Sequence, residues 1–309
     1  MKKFTKCILF STATAIGCMY AYNKVVEHTA ASYKPLERTN SYFFSWKHGD
    51  IYYEKMGSGQ PVLLVHDMYP YSSSVEFEKL AKKLSRKHTV YTMDLLGCGK
   101  SDKPAIVYTN YLYVQLITDF IKKVIGEPTD LITYDISSSF ALMANHMEPS
   151  LFRKILLLNP CSQKQLMLPV SPFARMQRMI LNAPIIGSFL FNFSTRKTKI
   201  ASFYQGISKA NESKIVDAAY AATHDQNSNG KYLFSSIQCK YLNVNISPAI
   251  KQCQNNVHVI IAAKNTANIQ IANEYHKKNN KITIHNLYAN STHLHIDYVD
   301  AIYKIFEQV

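Results

Sequence analysis

The chain has 309 residues, 47 % of them hydrophobic and 18 % charged, with 35 Lys and Arg against 21 Asp and Glu for a net charge of +14. That length accommodates one large domain with an inserted subdomain, and the composition excludes disorder on a large scale. The positive charge predicts attraction to polyanions such as a phospholipid surface or an acidic cell wall, but the basic residues are spread along the chain without a nucleic-acid-binding motif, so no nucleic-acid partner is expected.

At the N-terminus Lys2, Lys3 and Lys6 precede an uncharged run over residues 7–23. Its length is at the lower edge of what spans a bilayer as a helix, and the flanking lysines orient the rest of the chain outward. The expectation is a single N-terminal membrane anchor with an extracytoplasmic domain. The rivals are a cleaved signal peptide, with its small-residue site at Thr29-Ala30-Ala31, and a lipoprotein box at Cys18. The six cysteines form no C-x-x-C pair and indicate no disulfide framework, so they do not fix the compartment.

A polar stalk is predicted over residues 25–40, then a β-hairpin of aromatic runs (42–46 and 51–55) around Lys47-His48-Gly49-Asp50. The buried-strand run 61–65 delivers His66-Asp67-Met68 to its end, and a helix with Phe77, Leu80, Ala81 and Leu84 on one face follows. The next strand, 89–93, runs into Asp94-Leu95-Leu96-Gly97-Cys98-Gly99-Lys100-Ser101-Asp102-Lys103-Pro104. After a helix over 110–124, the strand ending at Tyr134 meets Asp135-Ile136-Ser137-Ser138-Ser139, a second helix, Pro149, and the strand that closes on Asn159-Pro160. Helical segments punctuated by Pro169, Pro172 and Pro184 occupy 161–247, and strand and helix alternate again from 257 to the end. The expected fold class is α/β: a mostly parallel sheet with helices on both faces, its chemistry at the carboxyl ends of the strands.

These stretches resemble the α/β-hydrolase family. The run from Asp94 to Pro104 matches its Asp-x-x-Gly-x-Gly-x-Ser-Asp-x-Pro loop. Pro149 and Asn159-Pro160 fall where the family has its His-Pro and Asn-Pro marks, which puts Asp135 at the nucleophile position of the G-x-S-x-G elbow. The resemblance implies a helical cap over 161–247, inserted between two parts of the core, 31–160 and 248–309, behind an anchor and stalk at 1–30.

It also implies roles for particular residues. His293, after Ser291-Thr292, stands where the family has its catalytic imidazole, and the backbone N–H groups of Met68 and Ile136 stand where it has its oxyanion donors. His66, Asp67, Tyr134 and Ser137 surround that pocket. Asp135 has two readings. It tolerates the positive φ of an elbow, or it is the nucleophile of an alkyl-ester route, as in haloalkane dehalogenases and epoxide hydrolases. Asp67 replaces the family's glycine. Its carboxylate must face away from a developing oxyanion, or the site is not a standard ester hydrolase; alternatively it is a loop aspartate bonding its own backbone. After the strand 257–262 the family places an acid, whereas Ala263-Lys264-Asn265-Thr266 contains none, a loss that can cost on the order of 10⁴ in rate in a serine triad.

Asn265 offers only an amide oxygen to orient the imidazole, and Asp297 stands one residue nearer to His293 than the family's following acid. Apolar residues over 175–193 are expected to close over Asp135, and cap tyrosines 204, 220, 232 and 241 are available as donors. The leading expectation is a hydrolase acting on a small, largely apolar substrate through Asp135 and His293, without cofactor or metal. Its alternatives are a non-catalytic relative that binds a ligand or partner, and a serine esterase using Ser137.

Overall fold

The computed structural model describes residues 2–33 and 41–309. The end of the predicted stalk, 34–40, and the side chains of residues 1–9 lie outside that description.

An eight-stranded sheet organises the chain in the order β1-β2-β4-β3-β5-β6-β7-β8. Its strands are β1 (Ser41–Trp46), β2 (Gly49–Met56), β3 (Gln60–Val65), β4 (His88–Met93), β5 (Thr129–Tyr134), β6 (Phe152–Leu158), β7 (Asn256–Ala262) and β8 (Thr283–Leu287). β2 runs antiparallel to both β1 and β4, and every pairing from β4 to β8 is parallel. The two-residue alternation of β3 divides the core. Val62 and Leu64 face Phe77, Leu80 and Phe306, while Leu63 and Val65 face Leu116, Ile117 and Phe140.

Helix α1 (Lys2–Ser32) precedes the sheet, and α2 (Glu78–Leu84), α3 (Asn110–Phe120) and α4 (Ser137–Met147) connect its central strands. Between β6 and β7 lie α5 (Gln163–Leu166), α6 (Ala174–Asn182), α7 (Ile186–Ser194), α8 (Lys197–Phe203), α9 (Lys209–Ser228), α10 (Lys231–Gln238) and α11 (Ser247–Gln252). α12 (Thr266–Lys278) joins β7 to β8, and α13 (Leu294–Asp297) and α14 (Val299–Gln308) end the chain.

The loop after β4 shows why its residue types are needed. Asp94 accepts the backbone N–H groups of Ser74 (2.7 Å) and Lys100 (2.8 Å), and Ser101 Oγ donates to Asp94 O (2.6 Å). Gly99 sits at φ 52°, where a Cβ would overlap the Asp94 carboxylate. The chain is thereby folded back under the ends of β3 and β4.

The membrane anchor is corrected. Among the described residues no helix is long and apolar enough to cross a membrane. Polar residues and the Lys24–Glu27 ion pair interrupt α1. Its second half belongs to the cap core: Val26 and Ala30 are buried with Ile200, Tyr204, Ile215 and Tyr220. Asn23 donates to Ile185 O (3.1 Å) and accepts from Asn192 Nδ2 (3.0 Å). The membrane partner and the extracytoplasmic placement derived from the anchor fall with it.

Candidate functional site

The elbow follows β5. Asp135 has φ 47° and its backbone N–H donates to Leu158 O (3.1 Å), so the turn from β5 into α4 is anchored on the neighbouring strand β6. A non-glycine residue in this region is uncommon, and aspartate is among the side chains that accept it.

His66, after β3, builds the opposite wall. Its Nε2 accepts the Leu95 N–H (2.9 Å), which leaves Nδ1 to donate to Asp67 O (2.6 Å) and pins the loop's backbone. The Asp67 side chain then points inward, and its Oδ1 accepts the Ile136 N–H at 3.1 Å. One of the two backbone donors expected to receive an oxyanion therefore holds a carboxyl group of the chain itself. Asp67 Oδ2 is buried without a partner. Burial, then the neighbouring Asp135, pushes Asp67 well above the usual carboxylate range, and burial lifts Asp135 to about 7. Two neighbouring carboxyls largely withdrawn from water cannot both ionise cheaply.

His293 stands on the loop after β8. Asn159, at φ 41°, places it by donating to Thr292 O (2.5 Å) while accepting the Ala262 N–H (2.8 Å), which ties the ends of β6 and β7 to the histidine loop. The His293 ring is enclosed by Phe203 (4.9 Å between centroids), Tyr204 (5.3 Å) and Tyr134 (5.6 Å). Its Nδ1 approaches Thr292 Oγ1 at 3.4 Å, and its Nε2 is buried without a partner. Burial, then His295, lowers it to about 4, so it is neutral at pH 7.

A family model described as the alpha/beta hydrolase fold matches residues 60–184. A probable hydrolytic enzyme of Pseudomonas aeruginosa superposes with a TM-score of 0.69 at 13 % identity, covering 89 % of this chain and 95 % of that one. A serine hydrolase involved in carbazole degradation gives a TM-score of 0.67 at 15 % identity, covering 87 % and 99 %. The chain has the α/β-hydrolase fold.

Curated relatives of this hydrolase-fold chain match over shorter stretches. An uncharacterised protein of Mycobacterium tuberculosis is 27 % identical over 33 % of this chain and 30 % of its own length. A 2-hydroxy-6-oxo-6-(2'-aminophenyl)hexa-2,4-dienoic acid hydrolase of Metapseudomonas resinovorans is 38 % identical over 23 % of this chain and 24 % of its own. A cis-3-alkyl-4-alkyloxetan-2-one decarboxylase of Shewanella oneidensis is 25 % identical over 59 % and 56 %. The chain thus spans about a third of the length of the first curated relatives it matches.

Other expected participants are engaged elsewhere. Ser137 Oγ donates to His66 O, and Ser139 Oγ bonds Ile136 O (2.8 Å), so these hydroxyls brace the elbow. Asn265 caps α12 by accepting the Ala267 N–H (3.0 Å). Asp297 accepts the Ser208 N–H (2.9 Å) and Asn211 Nδ2 (2.9 Å), tying the C-terminal region to the cap. Of the rings around His293, Phe203 ends α8, Tyr204 follows it and Tyr134 ends β5, whereas Met176, Met179 and Ile180 on α6 are exposed.

Sequence reasoning missed Glu76, in the short 3₁₀ turn before α2. Its Oε2 bonds His295 Nε2 (3.0 Å), while Oε1 accepts Tyr204 OH (2.8 Å) and the Ser73 N–H (3.2 Å). Burial pushes Glu76 up, but its bond to His295 and the neighbouring His66 and His293 together hold it below the usual range. Glu76 joins the β3 loop, the histidine loop and α8. It is a buried acid of this region, as Asp67 is, and it bonds His295 rather than His293.

Proposed function

We propose that this α/β-hydrolase-fold chain is a non-catalytic relative that binds a small, largely apolar molecule. The observation that carries this reading is the Asp67 carboxyl on the Ile136 N–H. A substrate carbonyl entering the oxyanion donors must first displace a buried side chain and then develop negative charge beside it, the reverse of preorganised stabilisation. The imidazole also lacks a carboxylate on Nδ1. The name of the Shewanella relative, a decarboxylase of dialkyl oxetanones, supports an apolar ligand.

The hydrolase reading through Asp135 and His293 is favoured by two observations, the elbow φ of 47° and the buried, unpartnered His293 Nε2. On that route Asp135 forms an alkyl ester, and water activated by His293 cleaves it at the Asp135 carbonyl carbon. A panel of esters, epoxides and haloalkanes separates the two readings. The binding reading expects no turnover, no fluorophosphonate adduct at Ser137, and no ester trapped on Asp135 in His293→Gln. A trapped ester, or isotope in the Asp135 peptide after one turnover in heavy-oxygen water, would establish the hydrolase instead.

A further inference from the structure

The geometry points to a second place, away from Asp135, as the ligand site: a cavity of about 650 Å³ between α1, α9 and the loop after β4, fitted to a neutral amphiphile with an apolar body and one uncharged hydrogen-bonding end. It rests on the binding reading above and names the site and class of the ligand.

The volume suits a small organic molecule, since such pockets run from roughly 300 to 1,000 Å³. It lies beyond the carboxyl ends of β3 and β4, where Ser73, Ser74 and Asp94 reach its wall. The long walls are apolar: Ala30 and Ala31 of α1 face the cavity, as do Ala218, Ala221 and Ala222 of α9.

The charged and titratable groups on the wall decide the ligand's charge, because each is already engaged within the chain. Glu27 pairs with Lys24 (2.7 Å), and both Asp94 oxygens accept backbone N–H groups. Asp225 Oδ1 accepts the Gln226 N–H (2.7 Å), and Lys100 Nζ lies over the Tyr52 ring at 5.0 Å. His224 bonds Tyr220 O (2.9 Å) and Thr195 Oγ1 (3.1 Å) through its two ring nitrogens, and burial lowers it to about 4. A charged ligand would have to break one of these arrangements to be neutralised, whereas a neutral one breaks none. Uncharged polar groups also line the rim, the hydroxyl of Ser74 and the amide of Asn227.

That rim is also where α9 is broken. Gln226, Asn227 and Ser228 have φ of 53°, 57° and 59°, a left-handed run costing about 1–2 kcal/mol per residue. Continuing α9 as a regular helix through these residues would give up the rim geometry that sets the two amide side chains on the cavity wall.

The test titrates the full chain with N-phenyl-1-naphthylamine, a neutral fluorophore, and then competes it with dodecanol, laurate or dodecylamine. Saturable enhancement is expected, with dodecanol displacing the probe at concentrations about tenfold lower than either charged analogue. Ala222→Trp fills the cavity from α9 and Ala31→Phe from α1, and each should weaken probe binding at least about tenfold. Tyr288→Ala, at an exposed position remote from the cavity, should leave it unchanged. Absent saturable binding, undiminished binding in whichever filling variant melts like the parent, or best competition by a charged analogue would overturn the assignment. Detection of ester turnover at Asp135 sinks the non-catalytic reading by itself and is scored separately from probe affinity.

Discussion

Replacing Asp67 with glycine in a chain that already carries Asp135→Ser should make position 135 react with a fluorophosphonate, whereas Asp135→Ser alone should stay nearly inert. Both variants place a hydroxyl on an elbow whose φ is 47°, and both have the same His293 without an acid behind it. They differ in what sits on the Ile136 N–H group. Removing a single oxyanion donor from a working site costs about 10²–10³ in rate. Freeing this donor should therefore raise the labelling rate by at least about 10². Equal labelling of single and double variants, or none in a double variant that melts cooperatively, would mean that Asp67 is not what silences the elbow.

Asp135→Asn should stabilise the protein, and only above acid pH. Burial raises the folded pKa of Asp135 to about 7, so between about pH 4 and 7 the folded state keeps a proton that the unfolded chain releases. Stability contributed by Asp135 therefore falls as pH rises through that window, and the deficit is full above pH 7. A shift of about three pKa units is worth on the order of 4 kcal/mol, reduced by the site's partial exposure and by its coupling to Asp67. Asparagine is nearly isosteric, tolerates positive φ and has no charge to bury. Thermal melts should show parent and variant together near pH 4 and the variant about 5–10 °C higher at pH 8. His293 contributes the opposite slope, losing stability as pH falls from about 6.5 toward its depressed value of about 4, but it does so in both proteins and cancels in the difference. A variant less stable than the parent at pH 8 would show that Asp135 is ionised and paired in the folded state.

The sheet was legible in the sequence because its signals are local. Buried strand runs end on chemistry-bearing residues, and the Asp94-to-Pro104 loop carries a bond pattern that few residue types satisfy. The elbow at Asp135 was located by spacing to Pro149 and Asn159-Pro160, although neither glycine nor serine was there. What the sequence could not disclose was long-range. Glu76 lies far from His295 along the chain, and only the fold brings them to 3.0 Å. The uncharged run 7–23 reads locally as an anchor, yet no helix among the described residues is apolar enough to cross a membrane, and Val26 and Ala30, in the predicted stalk, pack against the cap. Asp67 posed a question of side-chain direction, and rather than facing away its Oδ1 accepts the Ile136 N–H.

The most direct measurement follows the backbone amide of Ile136 by two-dimensional NMR in the parent, Asp67→Asn and Asp67→Gly, across pH 4 to 9. A carboxyl group on that N–H predicts a resonance that moves with pH in the parent. In Asp67→Asn it should no longer titrate with Asp67, and in Asp67→Gly it should shift far upfield as the acceptor is lost. An Ile136 amide that keeps the same position and the same titration in all three proteins would contradict the occupied oxyanion site.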